Sequence, residues 1–141
     1  MATQLSTRSI AVSTSEPMLP YWAEIVKIKP EAPGILTYWL RFQDEGLRKR
    51  YSFKPGQFNM LSVGFGEAAI SISSDPEKNE LIAHTIRMAG NVTQAVGRLK
   101  VGDVIGVRGP FGTYWPLEEH KGKDIVITAG GIGLPPIRPA I

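Results

Sequence analysis

From Leu19 onward the chain is a succession of short apolar runs, each closed by glycine, proline or a charged cluster. Residues 21–29 form the first run. Ile35–Phe42 is the clearest, because Leu36, Tyr38, Leu40 and Phe42 recur at every second position, the mark of a half-buried strand. Residues 43–54 carry Asp44, Glu45, Arg48, Lys49 and Arg50 and end at Pro55-Gly56. That texture predicts a solvated hairpin tip, with the Arg48 to Arg50 cluster as an alternative dock for an acidic partner. Residues 57–63 and 69–74 read as two further strands joined through Gly64-Phe65-Gly66, and 75–79 as a turn before a strand over 80–88. After Gly90 the period lengthens: Val92, Ala95, Val96 and Leu99 recur at helical spacing, with Asn91 as the expected N-cap and Gln94 three residues later. Gly97 inside that helix costs about 1 kcal/mol relative to alanine and leaves its length open. Residues 104–108 resume as a strand and 109–112 predict a sharp turn. The fold class is therefore mainly β: a six-stranded antiparallel Greek-key barrel with one short helix, a form that closes most of its own edges.

The two ends differ from this middle. Residues 1–18 are rich in Ser and Thr and aperiodic, so they are expected to be a flexible arm that buries too little to offset its ordering entropy. Residues 124–129 are β-branched and apolar, as in a central parallel strand, and Gly130, Gly131 and Gly133 follow at once with Pro135 and Pro136 behind them. This resembles the opening of a nucleotide-binding βα unit, although a proline stands where a third glycine would open the helix; a ligand-free glycine turn is the plain alternative. A parallel sheet needs further strands and crossovers. The expectation is thus a piece of a longer protein, divided into an arm (1–18), a barrel domain (19–117) and the truncated start of a nicotinamide-dinucleotide domain (123–141).

Composition narrows the chemistry. The 141 residues contain no cysteine, which excludes disulfides, thiolate metal sites and iron–sulfur clusters from this sequence. A net charge of +3 is too slight to specify a polyanionic partner. No apolar run approaches the ~20 residues that span a bilayer, so a cytoplasmic protein without a membrane partner is expected. His84 in mid-strand and His120 in a polar loop have no carboxylate at ligand spacing, so packing or surface roles are expected and no metal. The aromatic pairs Tyr21-Trp22, Tyr38-Trp39 and Tyr114-Trp115 fit strand packing better than base stacking. No nucleophile–base pair is legible, hence no catalytic residue is assigned.

The helix after Gly90 offers an anion site in its first N–H groups and in Thr93, with Arg87 just upstream; a capped helix beside a surface arginine is the ordinary alternative. Five motifs then occur in order: Lys54-Pro55-Gly56-Gln57-Phe58, Ile70-Ser71-Ile72-Ser73-Ser74, Ile86-Arg87-Met88-Ala89-Gly90-Asn91-Val92-Thr93, Arg108-Gly109-Pro110-Phe111-Gly112 and Ala129-Gly130-Gly131-Ile132-Gly133. In these the chain resembles the ferredoxin–NADP reductase superfamily. Within it the likeness is to electron-transfer subunits: the gamma subunit of nickel–iron sulfhydrogenases, the anaerobic sulfite reductase B subunit and the dihydroorotate dehydrogenase electron-transfer subunit.

The resemblance implies an FAD-binding barrel followed by an NAD(P)-binding α/β domain, often with a C-terminal cysteine motif for a [2Fe–2S] cluster. It implies that Ile70 and Ser71 contact the isoalloxazine, that Thr85, Ile86 and Arg87 line the ring and ribityl chain, and that Gly90, Val92 and Thr93 hold the pyrophosphate. Residues 109–112 would close the pocket, and Gly130, Gly131 and Gly133 match the NAD(P) pyrophosphate turn. Two positions depart from the superfamily pattern. Ile70 replaces a stacking tyrosine, as it does in the electron-transfer subunits. Ala68 replaces a phosphate-pairing arginine, a charge-assisted hydrogen bond of about 1.5–3 kcal/mol or roughly ten- to a hundredfold in affinity, beside Glu67, which repels phosphate; Arg87 is the expected substitute. The implied function is a flavin module, with FAD rather than FMN, NAD(P) only in the complete parent, and a metal-centre partner such as a hydrogenase or reductase subunit. Turnover by this chain alone is not expected. Two other readings stand beside it: a flavin-free barrel binding a protein or single-stranded nucleic acid, which the flavin reading does not expect, and self-association through residues 123–141.

Overall fold

A computed structural model describes residues 18–78 and 80–141; the expected arm lies, but for Met18, outside the described residues. Six strands, β1 (Tyr21–Ala32), β2 (Ile35–Phe42), β3 (Phe58–Val63), β4 (Gly66–Ser71), β5 (Ile82–Arg87) and β6 (Val104–Phe111), pair in the order β4-β3-β6-β1-β2-β5, every ladder antiparallel. The two outermost strands meet through a bridge between Ile72 and His84 and a bond from Ser73 N to Ala83 O of 2.8 Å. This seam closes the sheet into the barrel that the strand pattern predicts.

Alternation places Ala23, Ile25, Tyr38, Leu40, Leu61, Ile72, Ile82, Ile86, Ile105 and Val107 in the interior. Each large aliphatic among them contributes about 1.5–3 kcal/mol by leaving water. A helix, α2 (Asn91–Val96), covers one end, where Val96 is buried and its carbonyl accepts from the Tyr38 hydroxyl at 3.0 Å. Its N-cap is Gly90 and not Asn91: Thr93 Oγ1 reaches back to accept from Ala89 N at 3.0 Å and Gly90 N at 2.9 Å.

Four further expectations are corrected. Residues 43–54 are no hairpin tip. They contain a helix, α1 (Glu45–Arg50), which Asp44 caps by accepting from Leu47 N. Leu47 and Tyr51, four apart, both turn inward, and the Tyr51 ring lies 4.9 Å from that of Phe42; a run of charge hides this short helical period. The strand expected over 69–74 begins at Gly66 and its last residues leave the β3 ladder to close the barrel. Residues 109–111 are not a turn but the end of β6, which continues past a cis Gly109–Pro110 bond and a register shift opposite Phe58 and Met60. Residues 124–129 form no strand, since none of the described strands pairs with them, and Val126 is 89% exposed. A strand of this kind needs a ladder on both sides. The glycines open into a 3-10 turn, Gly131–Gly133, with another at Arg138–Ala140, in place of a helix. The tail folds back on the barrel, and Trp115 Nε1 donates to Pro136 O at 3.0 Å.

Candidate functional site

The β4–β5 seam gathers several of the residues singled out above. Ile72, His84 and Ile86 point inward and are buried, so the alternate positions Ser71, Thr85 and Arg87 lie on the outer side of the wall; Ser73, on the same side, is nonetheless buried. Ile86 is a core side chain and Ile70 packs against the core, which leaves their backbone for any contact with a bound ring.

Across the wall runs a row of hydroxyls with a fixed direction. Thr37 Oγ1 donates to Glu31 Oε1 at 2.9 Å, so it accepts from Thr85 Oγ1 at 2.8 Å, which in turn accepts from Ser73 Oγ at 3.2 Å. Lys29 Nζ, 2.8 Å from Glu31, and the Thr37 hydroxyl hold the Glu31 carboxyl below its ordinary pKa, so the row ends on a carboxylate. Beside it lies a cleft of about 420 Å³ lined by Lys29, Glu31, Ile35 and Thr85 from the barrel and Gly131 and Leu134 from the tail. Thr85 and Gly131 are thus brought to one place, with Gly130 and Gly133 in the same turn. Gly131 has φ +53°, and a Cβ at any of the three would meet open space.

Gly90, Val92 and Thr93 lie at the start of α2, against the beginning of β4: a Cβ on Gly66 would stand 3.1 Å from Val92 Cγ2. The Thr93 hydroxyl is engaged in the cap and also donates to Gly90 O at 3.1 Å. Arg87, at the end of β5 just before this corner, is exposed and makes no ion pair among the described residues. Glu67, expected to repel phosphate near Ala68, is gripped by Arg108, whose Nε and Nη2 donate to its two oxygens at 3.2 and 2.5 Å. The pair cancels the charge that stood against an anion here.

Sequence reasoning missed a buried polar chain behind the seam. The Tyr51 hydroxyl donates to Asn59 Oδ1 at 2.8 Å, Asn59 Nδ2 to His84 Nε2 at 3.2 Å, and His84 Nδ1 to Ser71 O at 3.0 Å. Asn59 and His84 are fully buried. Burial pushes the Tyr51 hydroxyl pKa up and the His84 imidazole down to about 4, against the pull of the Ser71 and Ile70 carbonyls. The only sequence signal was two polar residues at inward positions of otherwise apolar strands.

A scan against protein-family models finds none that matches. Among curated proteins, the chain is 36% identical over 132 residues to the sulfhydrogenase 1 subunit gamma of Pyrococcus furiosus, covering 93% of this chain and 45% of that protein. It is also 36% identical over 123 residues to a probable dihydroorotate dehydrogenase B electron transfer subunit of Methanocella arvoryzae, covering 86% and 42%. The chain therefore spans less than half the length of these relatives. Among solved structures, a cytochrome P450 reductase of Amycolatopsis superposes with a TM-score of 0.72 at 21% identity over 84% of this chain and 37% of that one. The ferredoxin-NADP+ reductase of Plasmodium falciparum gives 0.69 at 17% identity over 86% and 51%. These two likenesses establish the barrel fold. The chain is thus related to the sulfhydrogenase gamma and dihydroorotate dehydrogenase electron-transfer subunits over less than half their length, and its barrel has the fold found in the ferredoxin-NADP+ reductase.

Proposed function

We propose that the chain is the flavin-binding module of an NAD(P)H-linked oxidoreductase. The observation that carries this reading is the outer face of the β4–β5 seam, where Ser71, Thr85 and the exposed Arg87 follow one another toward the α2 cap. A hydroxyl-lined wall suits the polar edge of a flavin ring. An exposed arginine in the strand that leads into the α2 cap, together with the first N–H groups of α2, suits its phosphates. With Glu67 neutralised by Arg108, its charge no longer opposes an anion at that corner despite Ala68.

The residues present therefore fit FAD. Ser71 and Thr85, with the backbone of Ile70 and Ile86, would meet the ring; Arg87 would reach the phosphates with Gly90, Val92 and Thr93. FAD is favoured over FMN because Arg87 and the α2 start together suit two phosphates. The flavin supplies the passage between two-electron and one-electron chemistry; the protein supplies position and electrostatics. Gly130, Gly131 and Gly133 would belong to the pyrophosphate turn for NAD(P) in the whole protein. A partner carrying a metal centre, of the hydrogenase or dehydrogenase kind that the relatives' names describe, would exchange the electrons. No helix among the described residues is long and apolar enough to cross a membrane.

Visible absorption and fluorescence during titration with FAD and with FMN test the reading. FAD is expected to bind, and Arg87→Ala to weaken it by roughly ten- to a hundredfold, the worth of a charge-assisted hydrogen bond. A folded chain that takes up neither flavin would overturn it.

A further inference from the structure

We propose that His84 is a positioning residue of the seam: held from behind by Asn59 and Tyr51, its imidazole fixes the Ser71 carbonyl and with it the outward face of Ser71 against the flavin. This rests on the flavin reading of that face.

The chain of bonds has one consistent set of proton positions. Tyr51 donates to Asn59 Oδ1, which fixes the amide so that Nδ2 is its donor; Nδ2 donates to His84 Nε2, so Nε2 carries the lone pair and Nδ1 carries the proton given to Ser71 O. Four parts of the fold contribute: the residue after α1, then β3, β5 and β4. The amide has little freedom, because Gly109 lies so close that a Cβ there would collide with Asn59 Oδ1.

The seam is where such a device is needed. Elsewhere neighbouring strands share ladders of four to eight partnered residues, whereas Ile72 and His84 make an isolated bridge. On its other side Ser71 opposes Phe58 at the last pair of the β3 ladder. Backbone pairing therefore joins this stretch to β5 at that one bridge. The imidazole adds a tie from the buried side, to the carbonyl of the residue whose other side faces the proposed flavin. An apolar residue at position 84 would take one bond from the Ser71 carbonyl and the acceptor from Asn59 Nδ2 in a dry interior.

The test uses His84→Leu, the rescue variant His84→Gln, which keeps one donor and one acceptor, and His84→Leu combined with Asn59→Val. In the wild-type chain, nitrogen NMR of the imidazole is expected to show the neutral Nδ1–H tautomer with or without flavin, and the Ser73 amide to be protected from hydrogen exchange. In His84→Leu that amide should exchange faster, the visible band of bound FAD should shift and FAD affinity should fall about tenfold, the scale of one lost hydrogen bond. His84→Gln should recover most of each; the double variant, which also takes the Asn59 bond from the Tyr51 hydroxyl, should not regain the wild-type band. An Nε2–H tautomer, or His84→Leu with the wild-type band, affinity and Ser73 exchange, would overturn the proposal. Should the wild-type chain bind no FAD, the cofactor part falls with the flavin reading, while the tautomer and the Ser73 exchange still decide whether His84 holds the seam.

Discussion

An imidazole sealed in the barrel makes the stability of this chain sensitive to mild acid. His84 is fully buried, and desolvation lowers its pKa from 6.5 to about 4. In the unfolded chain it takes up a proton near 6.5, so between pH 6.5 and 4 the unfolded state binds more protons than the folded one. The contribution of the neutral buried ring is full above pH 6.5 and is lost as the pH falls toward 4, by up to about 3 kcal/mol. Urea unfolding from pH 7 to 4 should show this slope in the wild type and lack it in His84→Leu; the same slope in both would mean that the ring is solvated. A second prediction concerns Gly109, whose φ of +144° is open to glycine and whose missing side chain makes room for Asn59 Oδ1. Gly109→Ala should destabilise by about 1–3 kcal/mol. Because part of that cost is the clash, Asn59→Ala should relieve some of it, and a double-mutant cycle that showed strict additivity would separate the two residues.

The elements of this fold differ in how openly they are written in the chain. Strands β1, β2, β3 and β5 could be read because burial on a barrel wall imposes a period of two, and Tyr38, Leu40 and Phe42 obey it. Helix α1 was hidden because its inward residues are only Leu47 and Tyr51, set among Glu45, Arg48, Lys49 and Arg50, so charge outweighed period. Its cap is testable: Asp44 accepts from Leu47 N, and Asp44→Ala should cost about 1 kcal/mol in thermal or chemical unfolding. A change near zero would show that Leu47, Tyr51 and Phe53 hold the segment by packing alone. Residues 124–129 erred in the opposite direction, since apolar composition states that a segment can join a sheet but not that a partner strand is there. The buried Tyr51–Asn59–His84 chain was illegible for a related reason. Asn59 and His84 lie 25 residues apart, and only the closure of the barrel shows that they face each other.

At the scale of the whole molecule, cofactor and fold are coupled through the seam. The strand pair that closes the barrel is also the pair whose outer residues Ser71, Thr85 and Arg87 are proposed to hold FAD, so a ligand there braces the least laddered join of the sheet. Any ligand that binds only the folded chain stabilises it by mass action, by about 2.7 kcal/mol at a concentration 100 times its dissociation constant. Thermal unfolding in the presence of FAD, FMN and ADP therefore separates the parts of the site. If the ring is held at Ser71 and Thr85 and the phosphates at Arg87 and the α2 start, FAD should raise the midpoint by several degrees, and FMN and ADP each by less at equal concentration. Arg87→Ala should remove most of the ADP effect and leave part of the FMN effect. An ADP shift as large as that of FAD would place all the binding at the phosphate corner and leave Ser71 and Thr85 without a cofactor role.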